Sequence, residues 1–127
     1  MQGAILVFLG AGLGGVLRHA VNVVAVRSLG ANFPYATLAV NVTGSCVMGL
    51  LAGWLTFRAG AAWSVSFRLF ALTGVLGGYT TFSAFSLDAV LLWERGEALS
   101  SLLFVGASVV GSLGALVLGL AAVRALS

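Results

Sequence analysis

Polar and apolar positions in this chain fall into long blocks. Residues 1–17, 28–57, 69–87 and 98–123 carry no Asp, Glu, Lys or Arg. A membrane span needs about 20 mostly apolar residues, and each block with its flanks is long enough. The pattern predicts four transmembrane helices near residues 4–26, 34–57, 67–93 and 99–124. The connections left between them are short, so successive helices should run antiparallel. Nothing remains for a soluble domain. The expected fold is an all-α integral membrane protein, a single four-helix transmembrane domain over residues 1–127.

Composition agrees with the pattern. Hydrophobic residues make up 61% of the chain and charged residues 7%, against roughly 25% charged in a soluble domain. The N-terminus does not read as a cleaved signal peptide, because it lacks a basic n-region and Arg18 falls where a small-residue cleavage site would lie. Cys46 is the one cysteine, so no intrachain disulfide can form, and packing among small residues is its expected role. His19 is the one histidine. No metal-ligand cluster, nucleophile–base pair or phosphate loop is visible, so an enzyme is not expected. The formal charge of +3 comes from arginines scattered through and beside the spans, which does not suggest nucleic acid.

Basic residues in the flanks of spans set orientation. Arg58, Arg68 and Arg124 fall on one side of the membrane, and Arg27 and Arg95 on the other. So small a bias fits one orientation chosen by finer details. It equally fits insertion both ways, with two copies paired head to tail. A four-helix chain of this size leaves little room for an enclosed aqueous path, so oligomerisation is expected. Small residues at four-residue spacing let helices approach closely. They occur as Gly10/Gly14, as Ser45/Gly49/Gly53 and as Gly111/Ala115/Gly119, and could serve packing within a chain or between chains.

Polar groups in hydrocarbon cost free energy unless satisfied, which makes the exceptions informative. Arg18 lies within the first span. It either snorkels to the nearer interface or faces a polar vestibule, where it would concentrate anions. Thr37, Asn41 and Ser45 recur every four residues and share a face of the second helix. The Asn41 amide, with its two donors, is either interhelical glue or a donor aimed at a permeating anion. Ser108 and Ser112 share a face of the fourth helix, and Phe104 extends that stripe toward the helix start. The two serines either bond back to their own helix or form a hydroxyl track with Asn41.

The third span contains Gly-Gly-Tyr-Thr-Thr-Phe-Ser-Ala-Phe-Ser at residues 77–86. Gly74, Gly77 and Gly78 crowd one turn and Thr80 and Thr81 follow, all weak helix formers. A broken helix in a membrane is tolerated where protein or a cavity satisfies its backbone, and freed carbonyls can bind a cation such as Na⁺. A glycine kink for close helix crossing is the other reading. Phe82 and Phe85 share a face, each followed by a serine. The positive edge of an aromatic ring can solvate a small anion weakly enough for it to leave, a balance that conduction requires. Asp88 fits an interface or vestibule. Glu94, Arg95 and Glu97 read as a solvated loop.

The 77–86 segment closely resembles the signature of the Fluc (CrcB) fluoride channels. Gly-Gly-Val-Leu-Arg at residues 14–18 is similar to that family's first-helix motif, and Thr-Leu-Ala-Val-Asn-Val-Thr-Gly at residues 37–44 to its second-helix motif. Ser108 and Ser112 fall at the family's fourth-helix serines. The likeness spans nearly the whole chain. It implies an antiparallel, dual-topology homodimer in the bacterial inner membrane, with two fluoride pores. The family's pore phenylalanines correspond to Phe82 and Phe85, its pore asparagine to Asn41, its polar-track serines to Ser108 and Ser112, and its vestibule arginine to Arg18. The backbone carbonyls that hold a structural, untransported Na⁺ correspond to Gly77 and Thr80. Members expel fluoride that enters as neutral HF. An anion leaving the cell gains about 2.3 kcal/mol per 100 mV, so no other energy source is implied. The chain departs from the family pattern at Ala84, often threonine, Phe104, a tyrosine in some members, Asp88, commonly glutamate, and the bulky Tyr79.

Two other functions fit parts of the sequence. A small proton-coupled exporter of organic cations would need a membrane-embedded carboxylate, and Asp88 near a helix end is the one candidate. A non-conducting assembly subunit would explain the small-residue faces, but it leaves Asn41 and the Phe-Ser pattern without a purpose.

Overall fold

A computed structural model describes residues 1–57 and 65–126. Its regular elements are all helical: α1 (Gln2–Leu29), α2 (Tyr35–Phe57), α3 (Arg68–Leu76), α4 (Gly77–Tyr79), α5 (Phe82–Glu94) and α6 (Ala98–Leu126). Four stretches are long and apolar enough to cross a membrane: Gln2–Leu29, Tyr35–Phe57, Val65–Glu94 and Ala98–Leu126. Elements α3 to α5 lie within the third. Arg58, counted above for orientation, lies outside the described residues.

The helix ends follow from local chemistry. Gly30 and Gly96, with φ of 81° and 83°, close α1 and the α5–α6 connection in a conformation that favours glycine. Arg27 and Arg124 occupy last turns of α1 and α6, where a cation meets the negative end of the helix dipole. Arg124 also stacks on Phe57, 5.5 Å from the ring centroid. The outward faces are apolar, with Phe8 77% and Leu118 70% exposed. Such faces are solvated by lipid tails. The core is correspondingly thin, with Val40, Leu55, Leu72, Leu76, Leu92 and Phe104 buried.

The small-residue stripes pack within the chain. Element α1 lies against α3 and α4, and α2 against α6. A Cβ built on Gly78 would lie 2.9 Å from Ala11 Cα, and one on Gly119 would lie 2.8 Å from Leu50 N. Gly49 meets the Leu116 backbone, and Gly53 the Val123 side chain. Gly74 and Gly78 of the third span therefore serve close approach to α1.

The backbone turns elsewhere. Element α3 is wound as a π-helix, and Gly77, with φ −61° and ψ −37°, is still helical. Thr80 (φ −81°, ψ 161°) and Thr81 (φ −154°, ψ 122°) are extended. Threonine tolerates these angles, because β-branching favours the β region. Thr81 then caps α5, its Oγ1 accepting the Ala84 N–H at 3.1 Å, the usual work of an N-cap hydroxyl.

Candidate functional site

Two extended residues in the middle of the third membrane-capable stretch expose backbone groups that must find partners. Side chains from other helices provide several. Asn41 of α2 donates from Nδ2 to Thr81 O at 3.0 Å and accepts the Thr81 N–H on Oδ1 at 2.8 Å. Arg18 of α1 donates from Nε to Gly78 O at 3.1 Å. Thr80 closes on its own turn, its N–H and Oγ1 both donating to Leu76 O, at 3.0 and 2.9 Å. Among the described residues no side chain donates to the carbonyls of Gly77 or Thr80.

A cavity of about 360 Å³ opens beside this backbone, and its walls include Asn41, Ser45, Thr80, Thr81, Phe82, Phe85, Ser108 and Ser112. Helical spacing explains the grouping. Asn41 and Ser45 are one turn apart on α2, Ser108 and Ser112 one turn apart on α6, and Phe82 and Phe85 occupy the start of α5. The Phe82 and Phe85 rings are 5.4 Å apart at 45°. Ser108 and Ser112 have buried Oγ atoms with no hydrogen-bond partner among the described residues. Buried hydroxyls are nearly always paired, so two orphans in one wall mark where a polar guest would sit. One Nδ2 hydrogen of Asn41 is also left over from its contact with Thr81.

Other polar residues are accounted for differently. Ser86 Oγ bonds back to Phe82 O at 3.0 Å, and Ser83 Oγ pairs with Thr81 Oγ1 at 3.4 Å. The serines of the Phe-Ser repeat thus serve local backbone and cap, and the cavity wall takes its hydroxyls from α2, Thr80–Thr81 and α6. Phe104 is fully buried. It packs between Phe33 (5.7 Å, 88°) and Phe85 (5.3 Å, 39°), so it supports the Phe85 ring from behind without lining the cavity. The Tyr79 hydroxyl pairs with Thr43 Oγ1 at 2.9 Å.

A second cavity of about 360 Å³ is lined by Arg18, His19, Asn22, Thr37, Thr81 and Asp88, with small and apolar neighbours. Thr81 belongs to both cavities. Thr37 donates to Asp88 Oδ2 at 2.6 Å. Arg18 and Asp88 therefore share one vestibule. Gly77, by contrast, is exposed on the single chain. Of the residues singled out from sequence, Asn41, Thr80, Phe82, Phe85, Ser108 and Ser112 meet at the first cavity and Arg18 at the second. Thr81 was not singled out as a site residue, although its backbone is the most heavily tethered. The alternation of Thr37, Asn41 and Ser45 indicated a shared face but not its partner.

Comparison with known proteins decides the family. The family described as CrcB-like protein, Camphor Resistance (CrcB), matches residues 5–120. The chain belongs to the CrcB family. It is 55% identical over 123 residues to "Fluoride-specific ion channel FluC 2" of Nitrobacter hamburgensis, covering 97% of this chain and 98% of that one. It is 54% identical over 123 residues to "Fluoride-specific ion channel FluC" of Rhodopseudomonas palustris, with the same coverage of 97% and 98%. A Methylobacterium protein of the same name is 52% identical over 124 residues, covering 98% of both chains. Membership of the CrcB family, together with four membrane-capable helices, makes this a multi-pass membrane protein.

Proposed function

We propose that this protein is a fluoride channel that lets fluoride leave the cytoplasm passively. The observation that carries the reading is the pair of orphaned, buried hydroxyls of Ser108 and Ser112, facing Asn41 and the Phe82–Phe85 pair in one cavity. The hydroxyls and the remaining Asn41 N–H donate to the anion, while the ring edges hold it weakly. Among the described residues no carboxylate lines this cavity, which suits an anion. The relatives' names supply fluoride as the ion. CrcB proteins are channels, and no chemical step is assigned.

The Arg18 vestibule gathers anions and passes them to the cavity at Thr81. One chain builds only part of the wall, because Phe82 is 78% exposed. A second copy covers that face. In our reading the copies lie antiparallel, giving two pores in a bacterial inner membrane. The carbonyls of Gly77 and Thr80, which take no side-chain donor among the described residues, suit a structural Na⁺, since carbonyl oxygen is a hard ligand. Two carbonyls from one chain make half a shell, and the second copy completes it. Asp88, the carboxylate an exporter would need, is held by Thr37.

Expression in fluoride-sensitive bacteria tests the reading. Cells carrying the protein should grow in fluoride medium that stops the parent strain. No rescue by protein present in the membrane would count against it.

A further inference from the structure

The Asn41 amide faces the cavity, yet one of its two N–H donors and its carbonyl oxygen are already engaged by the N–H and C=O of Thr81. It accepts the Thr81 N–H at 2.8 Å and donates to Thr81 O at 3.0 Å. This is the pairing a neighbouring strand would give an extended residue, here delivered by one side chain. Thr81 is extended at φ −154° and ψ 122°, and α5 starts at the next residue. Phe82 and Phe85 therefore take their positions from where Thr81 is held. Thr81 Oγ1 also caps α5 through Ala84 N, so the same residue sets the helix axis. Arg18 tethers the other end of the segment through Gly78 O.

We infer that Asn41 is a positioning residue for conduction: it holds the Thr81 backbone and thereby fixes the two phenylalanine rings, in addition to any donation to the ion. This rests on the channel reading above. It has its own consequence. Asn41 and the Thr81 N–H act as one unit, so removing either disturbs the pathway in the same way. Donation to the ion alone would involve Asn41 and leave the Thr81 N–H irrelevant.

The test replaces the Thr81 residue by its α-hydroxy analogue, turning one backbone amide into an ester. That removes the hydrogen donated to Asn41 Oδ1 and leaves every side chain in place; it also weakens the Thr80 carbonyl as an acceptor, an effect that would persist on top of Asn41→Ala and is told apart there. Fluoride efflux is measured for the wild type, the ester, Asn41→Ala and the combination. The ester should lower flux about tenfold, the scale of one lost hydrogen bond with an acceptor left unpaired. It should add little to Asn41→Ala. Full flux in the ester, beside a defective Asn41→Ala, overturns the inference while leaving the channel reading intact. A second measurement needs neither flux nor the ester. Hydrogen exchange at the Thr81 amide should quicken about tenfold in Asn41→Ala, with exchange in α6 unchanged. Unchanged exchange at Thr81 overturns the clamp whatever the flux.

Discussion

Gly10 and Gly74 meet backbone to backbone: a Cβ built on Gly10 would lie 2.9 Å from Gly74 Cα. Neither side can yield by rotating a side chain, because neither has one. Gly10→Ala should therefore destabilise the protein by roughly 1–3 kcal/mol, the usual cost of overpacking. Gly114, whose added Cβ meets nothing within 4 Å, is the control. Gly114→Ala should be neutral or gain up to about 1 kcal/mol, the helix-propensity difference. Thermal unfolding in detergent reads both. Equal stability of the two variants would contradict this packing.

Ser108 separates function from stability. Its hydroxyl is buried without a partner among the described residues, so the fold gains nothing from it. Ser108→Ala should leave the unfolding temperature unchanged or raise it, since about 1–3 kcal/mol of unmet desolvation is relieved. The same change should lower fluoride flux roughly tenfold, the scale of one lost contact to an ion. A large loss of stability, or flux equal to the wild type, would count against the site.

How much of this could be read in the sequence varies with the kind of signal. The four spans were legible because charge exclusion over some twenty residues is a property of the segment. The grouping of Ser108 with Ser112, and of Asn41 with Ser45, was legible because helical spacing fixes which residues share a face. What each face meets was not. The run from Gly74 to Thr81 was legible as a weak helix, but not how the weakness is divided: Gly74 and Gly78 pack against α1, and the extended pair is Thr80–Thr81. Propensity marks weak helix formers without saying whether weakness or smallness is being used. Phe104 sits on the serine stripe in sequence, yet it is buried behind Phe85. The Asn41–Thr81 clamp joins residues 40 positions apart, and no local pattern encodes that.

Thr37 and Asp88 tie α2 to α5 across 2.6 Å. Thr37→Val keeps the shape and removes the donor. Because the acceptor is a carboxylate, the loss should cost about 1.5–3 kcal/mol. Thr37→Ser should restore most of it. Urea or thermal titration of the three proteins checks this, and a Val variant as stable as the wild type would remove the tie from the account.

The proposed structural Na⁺ at the Gly77 and Thr80 carbonyls can be tested by removing the ion. Prolonged dialysis into sodium-free buffer with a large organic cation should inactivate the protein slowly and weaken its self-association. Restoring Na⁺ should reverse both. Full flux and an unchanged oligomer after depletion would rule out a structural cation at these carbonyls.

Fluoride efflux from liposomes holding the purified protein tests the central claim most directly. Chloride serves as the control ion, a valinomycin–K⁺ shunt balances charge, and Phe82→Ala with Ser108→Ala reports on the cavity. Rapid fluoride efflux that requires the shunt, retained chloride, and a defect in the double variant are expected. No fluoride efflux from folded protein, or efflux unaffected by emptying the cavity wall, would contradict it.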